Sequence, residues 1–102
     1  AMWMMLQQET PDDFVCSTGV SHSVRDCVQY VFNQLDLDVS EHVKVDSKYF
    51  RPEELTDLKG DSTKLRTQLG WTPDYTFETL LNEMIEHEYA DSYVDVPYDV
   101  AR

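Results

Sequence analysis

The sequence predicts an α/β fold, or α+β for the chain taken as an isolated piece, in which short strands pack with about three to four helices. Three observations predict it. Phe14-Val15-Cys16-Ser17-Thr18 is a β-rich run closed by Gly19. His42-Val43-Lys44-Val45-Asp46 alternates apolar and polar residues with period two. Two longer stretches repeat apolar residues at helical spacing. With 102 residues and 41% hydrophobic content, one modest domain is the upper bound.

Ala1-Met2-Trp3-Met4-Met5-Leu6-Gln7-Gln8 consists of good helix formers with no cap ahead of them, so the chain is expected to start inside a helix. After Pro11-Asp12 the run 14–18 reads as a buried strand. Ser23 can cap a helix whose Val24, Cys27, Val28, Val31, Phe32 and Leu35 form one core-facing stripe. Residues 42–46 read as a half-exposed strand. Asp61 or Ser62 can cap a short helix carrying Leu65 and Leu69, with Gly70 as its C-terminal stop. From Thr76 a longer helix places Phe77, Leu80, Leu81, Met84, Ile85 and Tyr89 on a face read as core. Residues 1–91 are assigned to one lobe and 92–102 to an acidic tail, interrupted by Pro97 and lacking helical periodicity.

The formal net charge of −12 argues against nucleic acid or an anionic membrane as partner, since both demand clustered Lys and Arg. No apolar run approaches the roughly 20 residues of a membrane span and no signal peptide is visible, so a soluble, cytoplasmic chain is expected. Cys16 and Cys27 fall in the predicted strand and on the predicted apolar helix face, and read as core thiols. The charge is unevenly placed. Lys44, Lys48, Arg51, Lys59, Lys64 and Arg66 stand beside Asp46, Glu53, Glu54, Asp57 and Asp61, which makes positions 43–66 about neutral and concentrates the negative charge elsewhere. An anionic ligand meets least repulsion there; the alternative is that these cations balance local acids on a solvated face.

Within that window, Tyr49-Phe50-Arg51-Pro52-Glu53-Glu54 has the residue types of a ligand clamp. Pro52 restricts the backbone of Arg51, whose planar fork of donors suits a phosphate or diphosphate. Glu54 can accept hydrogen bonds from paired hydroxyls such as those of a ribose. Spacing alone also allows, and by itself favours, a surface turn in which Arg51 and Glu54 form an exposed ion pair worth about 1 kcal/mol at most.

The run Lys48-Tyr49-Phe50-Arg51-Pro52-Glu53-Glu54, followed by Leu58-Lys59-Gly60-Asp61-Ser62-Thr63-Lys64, resembles the C-terminal lobe of the GDP-mannose 4,6-dehydratase family. Thr18-Gly19-Val20-Ser21-His22-Ser23-Val24-Arg25 resembles that family's strand-to-helix junction, and the resemblance continues through Thr76 to Met84. Leu69-Gly70-Trp71-Thr72-Pro73 resembles extended short-chain dehydrogenases in general. The resemblance implies a C-terminal fragment of an extended short-chain dehydrogenase whose cofactor-binding N-terminal half is absent. It implies NADP as the parent enzyme's cofactor, none bound to this piece, and GDP-mannose or a related nucleotide sugar as ligand. In the parent, hydride leaves C4 of the sugar, water is lost across C5 and C6, and hydride returns to C6. Arg51 and Glu54 match the residues that hold the nucleotide half of the substrate. One departure is the short acidic stretch Asp36-Leu37-Asp38-Val39-Ser40-Glu41, where family members often carry a longer, more basic segment; it implies a different pocket rim.

Catalytic parts are missing from this sequence. Its three glycines, Gly19, Gly60 and Gly70, do not form a phosphate-binding turn, and none of its six tyrosines has Lys four positions later. The Thr/Glu pair that the resemblance places near the hexose has no counterpart. No catalytic, cofactor-binding or metal-binding residue is therefore assigned. Glu83 and His87 share a helix face at i, i+4 but lack a third ligand. His22 and His42 read as surface or capping residues, and Ser17, Ser21 and Ser23 lack a nucleophile elbow. The chain alone is expected to be catalytically silent, and self-association through an apolar face is expected for a piece cut from a larger enzyme. A related nucleotide-sugar dehydratase, epimerase or reductase lobe, and a free-standing acidic protein-interaction module, are the alternatives.

Overall fold

A computed structural model describes residues 1–92, apart from the side chains of residues 91 and 92. In chain order they form α1 (Met2–Leu6), α2 (Val24–Gln34), α3 (Val39–His42), a 3-10 turn (Ser47–Tyr49), α4 (Thr63–Leu69) and α5 (Phe77–Ser92). Of the acidic tail assigned to residues 92–102, residue 92 ends α5 and the rest, from residue 93 onward, lies outside the described residues.

No strand or sheet occurs among the described residues, which corrects the α/β expectation. A strand persists only where a second edge accepts its backbone hydrogen bonds. Residues 13–18 meet side chains instead: Arg66 donates to the carbonyl of Thr18 at 2.8 Å, and Lys64 to that of Asp13 at 2.8 Å. In the second run His42 ends α3, Val45 is exposed, and Asp46 caps the 3-10 turn by accepting from the Lys48 amide at 3.0 Å. Its alternation has no surface to pack on.

The helices follow their local signals more closely. At α2 a reciprocal capping box forms: Ser23 Oγ accepts from the Asp26 amide at 3.0 Å and Asp26 accepts from the Ser23 amide at 2.9 Å. Asp36, at φ 53°, then turns the chain back toward α3 in a left-handed conformation that aspartate tolerates. For α4, Ser62 is the N-cap residue by position, but the cap bond is supplied by Asp61, which accepts from the Thr63 amide at 2.9 Å. Gly70 closes α4 at φ 68°, the left-handed stop expected of it. Thr76 and Thr79 exchange hydrogen bonds at the start of α5.

Packing falls in two places. α2 lies against α5, where the Tyr30 hydroxyl donates to Asn82 Oδ1 at 2.9 Å. Phe77 stacks on His22 with ring centroids 3.8 Å apart and meets the edge of Tyr30 at 6.2 Å. The second place is α4, whose Leu65 is fully buried. Much apolar surface is left uncovered. Val24, Leu80, Met84 and Tyr89, read from the sequence as core, are exposed, as are Met2, Trp3 and Leu6 of α1. Cys16 is likewise exposed, not a core thiol, and Cys27 is half-buried; both are free. The chain exposes 9538 Å², where about 6,000 Å² is usual for a compact monomer of 11.9 kDa. Its radius of gyration is 19.0 Å against about 13 Å for a closed domain of this length.

Candidate functional site

The clamp residues stand on the irregular stretch between the 3-10 turn and α4. At its entrance Lys48 lies 3.7 Å from Asp46 and 4.8 Å above the ring of Tyr49. Phe50 leaves in an extended conformation, φ −67° and ψ 135°, and Arg51 follows ahead of Pro52. Every residue from 51 to 59 is exposed, and none from 51 to 60 makes a hydrogen bond with another described residue. Arg51 and Glu54 are both on this loop, and the ion pair that their spacing allows is not formed. Each keeps its hydrogen-bonding capacity toward solvent.

The loop ends abruptly. Gly60 is seated against Ser17 and Val15, Ser62 is buried at 3% exposure, and Arg66 Nε donates to Ser62 Oγ at 2.9 Å. The same guanidinium reaches the Thr18 carbonyl and lies 5.7 Å from the centroid of the Trp71 ring. Lys64 pairs with Asp12 at 2.9 Å and covers the Phe14 ring at 4.8 Å. That pairing, with the Lys64 hydrogen bond first, holds the Asp12 carboxyl below its ordinary range.

The six cations of the near-neutral window therefore divide by role. Lys64 and Arg66 fasten α4 to residues 12–18, and Lys48 serves its own turn. Lys44, Arg51 and Lys59 have no hydrogen bond or ion pair with a described residue and remain available to an anion. Sequence reasoning grouped all six; it missed the fastening role because carbonyl acceptors about 50 positions away leave no trace in local spacing.

Two cavities among the described residues lie away from the clamp. One, of about 530 Å³, lies between the end of α2 and α5 and includes Asp36, Asn82 and Glu86; the other, of about 400 Å³, includes Glu9, Asp12 and Gln68. Their acidic linings repel a diphosphate. The donors suited to one are on the open loop instead. Glu83, half of the i, i+4 pair with His87, hydrogen-bonds Tyr75 and raises the pKa of that phenol. Among the described residues no three His, Cys, Asp or Glu side chains gather as a metal site, and no helix is long and apolar enough to cross a membrane.

The family model of GDP-mannose 4,6 dehydratase matches residues 1–84, a stretch that includes the loop and α4. The chain belongs to the GDP-mannose 4,6-dehydratase family. It is 44% identical over 88 residues to GDP-mannose 4,6 dehydratase 1 of Arabidopsis thaliana, a match covering 86% of this chain and 24% of the relative. To the human GDP-mannose 4,6 dehydratase it is 38% identical, over 83% of this chain and 27% of that protein. To the Vibrio cholerae GDP-mannose 4,6-dehydratase it is 33% identical, over 81% and 30%. The chain thus spans about a quarter of the length of the curated relatives it matches. The dehydratase loop, with Arg51 and Glu54, lies well inside the matched region.

Proposed function

We propose that this chain is the substrate-binding C-terminal part of a GDP-mannose 4,6-dehydratase, a lyase that converts GDP-mannose to GDP-4-keto-6-deoxymannose. The observation that carries this reading is the pair Arg51 and Glu54, exposed and unengaged by described residues, on a loop inside the family match. Arg51 supplies a planar fork to the diphosphate and Glu54 accepts from the ribose hydroxyls. Their role is binding and orientation, so in the complete enzyme removal of Arg51 raises KM more than it lowers kcat.

NADP does not fit the residues of this chain. A dinucleotide turn needs clustered glycines between a strand and a helix, whereas Gly19, Gly60 and Gly70 are isolated and no strand is described. The chain alone is inactive on this reading. On this reading the partner is the cofactor-binding portion of the enzyme; the match leaves about three quarters of the relative's length outside this chain. The excess of exposed surface, with apolar side chains on α1, α2 and α5, is of the size that permanent interfaces bury.

Calorimetric titration with GDP, GDP-mannose and UDP-glucose, at two salt concentrations, tests the reading. Weak, salt-sensitive binding of both guanosine ligands, lost in Arg51→Ala, is expected. Equal binding of UDP-glucose points to a sister activity, and guanosine binding that survives Arg51→Ala removes the clamp.

A further inference from the structure

We propose that Gly60 is a positioning residue: its bare backbone, seated on Ser17, anchors the loop that carries Arg51 and Glu54. The proposal rests on the clamp reading for its functional consequence, and on geometry for the anchor itself. Residues 51–60 make no hydrogen bond with another described residue, so the loop is placed by its two ends. The end at the 3-10 turn is exposed throughout. The other end is half-buried at Gly60 and buried at Ser62.

At Gly60 the two chain segments approach too closely for any other residue. A Cβ there would stand 2.7 Å from both Cβ and Oγ of Ser17, and 3.4 Å from Val15 Cγ1. Ser17 Cβ is tied directly to its backbone and cannot swing aside, so the segments would have to part by roughly 1 Å to regain ordinary contact. Retreat of Ser17 is opposed by Arg66, which holds the next carbonyl, that of Thr18, at 2.8 Å. The close seat also leaves Ser17 Oγ buried with no hydrogen-bond partner among the described residues, a cost accepted for the contact. A loop without internal fastening transmits such a displacement toward Glu54 and Arg51, and misplacement by about 1 Å is enough to spoil a binding geometry.

Limited trypsinolysis of the full chain, read by mass spectrometry, tests the anchor without any ligand. The Lys44–Val45 and Lys59–Gly60 bonds both follow exposed lysines in irregular backbone, but Gly60 is fastened. Cleavage after Lys59 is expected to be slower on the order of tenfold. Gly60→Ala should bring the two rates together, and adding Ser17→Gly, which removes the colliding Cβ, should separate them again. Equal rates in the unmodified chain, or no rescue by the second substitution, overturns the anchor. Helical circular dichroism accompanies each variant; if Gly60→Ala unfolds, recovery of helix in the double variant supports the clash and continued unfolding overturns it. Titration with GDP follows the same series. Weakened binding in Gly60→Ala with recovery in the double variant is expected, whereas a freed loop that binds GDP as before overturns the positioning role. If the unmodified chain binds no GDP, the clamp reading falls and the proteolysis alone decides the anchor.

Discussion

The α2–α5 pair and the α4 region are built on different terms, and the difference separates what periodicity can foretell from what it cannot. α2 has a strong apolar stripe and a complete capping box, yet none of its residues is buried. α4 has seven residues, and its Leu65 is fully buried with Ser62 nearly so. The cause is the neighbour. α2 meets α5 and the short α3 through half-buried side chains, while residues 12–18 are drawn onto α4 by Lys64 and Arg66. Amphipathic spacing states which face is ready to be covered; whether it is covered depends on contacts about 50 residues apart.

If that contrast is right, the largest effect comes from Leu65→Ala. Removing a side chain with no exposure should cost about 2–5 kcal/mol, enough to unfold a marginal chain. Urea denaturation followed by circular dichroism measures it. A comparable truncation at Leu80, which is 47% exposed, should cost far less. Equal losses at the two positions would erase the distinction between the regions.

Arg66→Ala comes next. It removes charge-assisted bonds to Ser62 Oγ and the Thr18 carbonyl, for an expected loss of about 1.5–3 kcal/mol. Arg66→Lys should recover little, because an ammonium cannot reproduce the guanidinium's split reach. A loss no larger than that of an exposed ion pair would show that residues 12–18 are held by packing alone.

These contacts also mark how far the sequence is legible. Ser23 as a cap and Gly70 as a stop are local signals that need no distant partner, and each is where it was expected. The family was legible too. Strands were not. Residues 14–18 and 42–46 have the composition and alternation of strands, but a strand is a property of two edges, and no described segment offers the second. Cys16, Leu80 and Met84 were misread as core for a related reason: their faces are apolar, but described residues cover them only in part. Gly60 looked like turn punctuation before α4, and its close approach to Ser17 is visible only in three dimensions.

The smallest expected effects are at the α2 cap, and they sharpen the contrast from its weak side. Ser23→Ala removes one half of the capping box and should cost about 1 kcal/mol, appearing as lost helicity of α2 with α4 unaffected. The other half gives the cap a pH signature. Hydrogen bonds from the Ser23 backbone and then its side chain hold the Asp26 carboxyl below its ordinary range. Folding therefore favours the carboxylate, and the unfolded chain binds protons more readily. The cap's contribution is complete above the ordinary aspartate value of about 4 and is lost as pH falls through the depressed folded value. Helicity measured from pH 6 down to pH 2 should decline over that range, and in Asp26→Asn the part of the decline that belongs to α2 should disappear. A loss of α2 helicity on the alkaline side instead would mean that the cap is not what holds this helix.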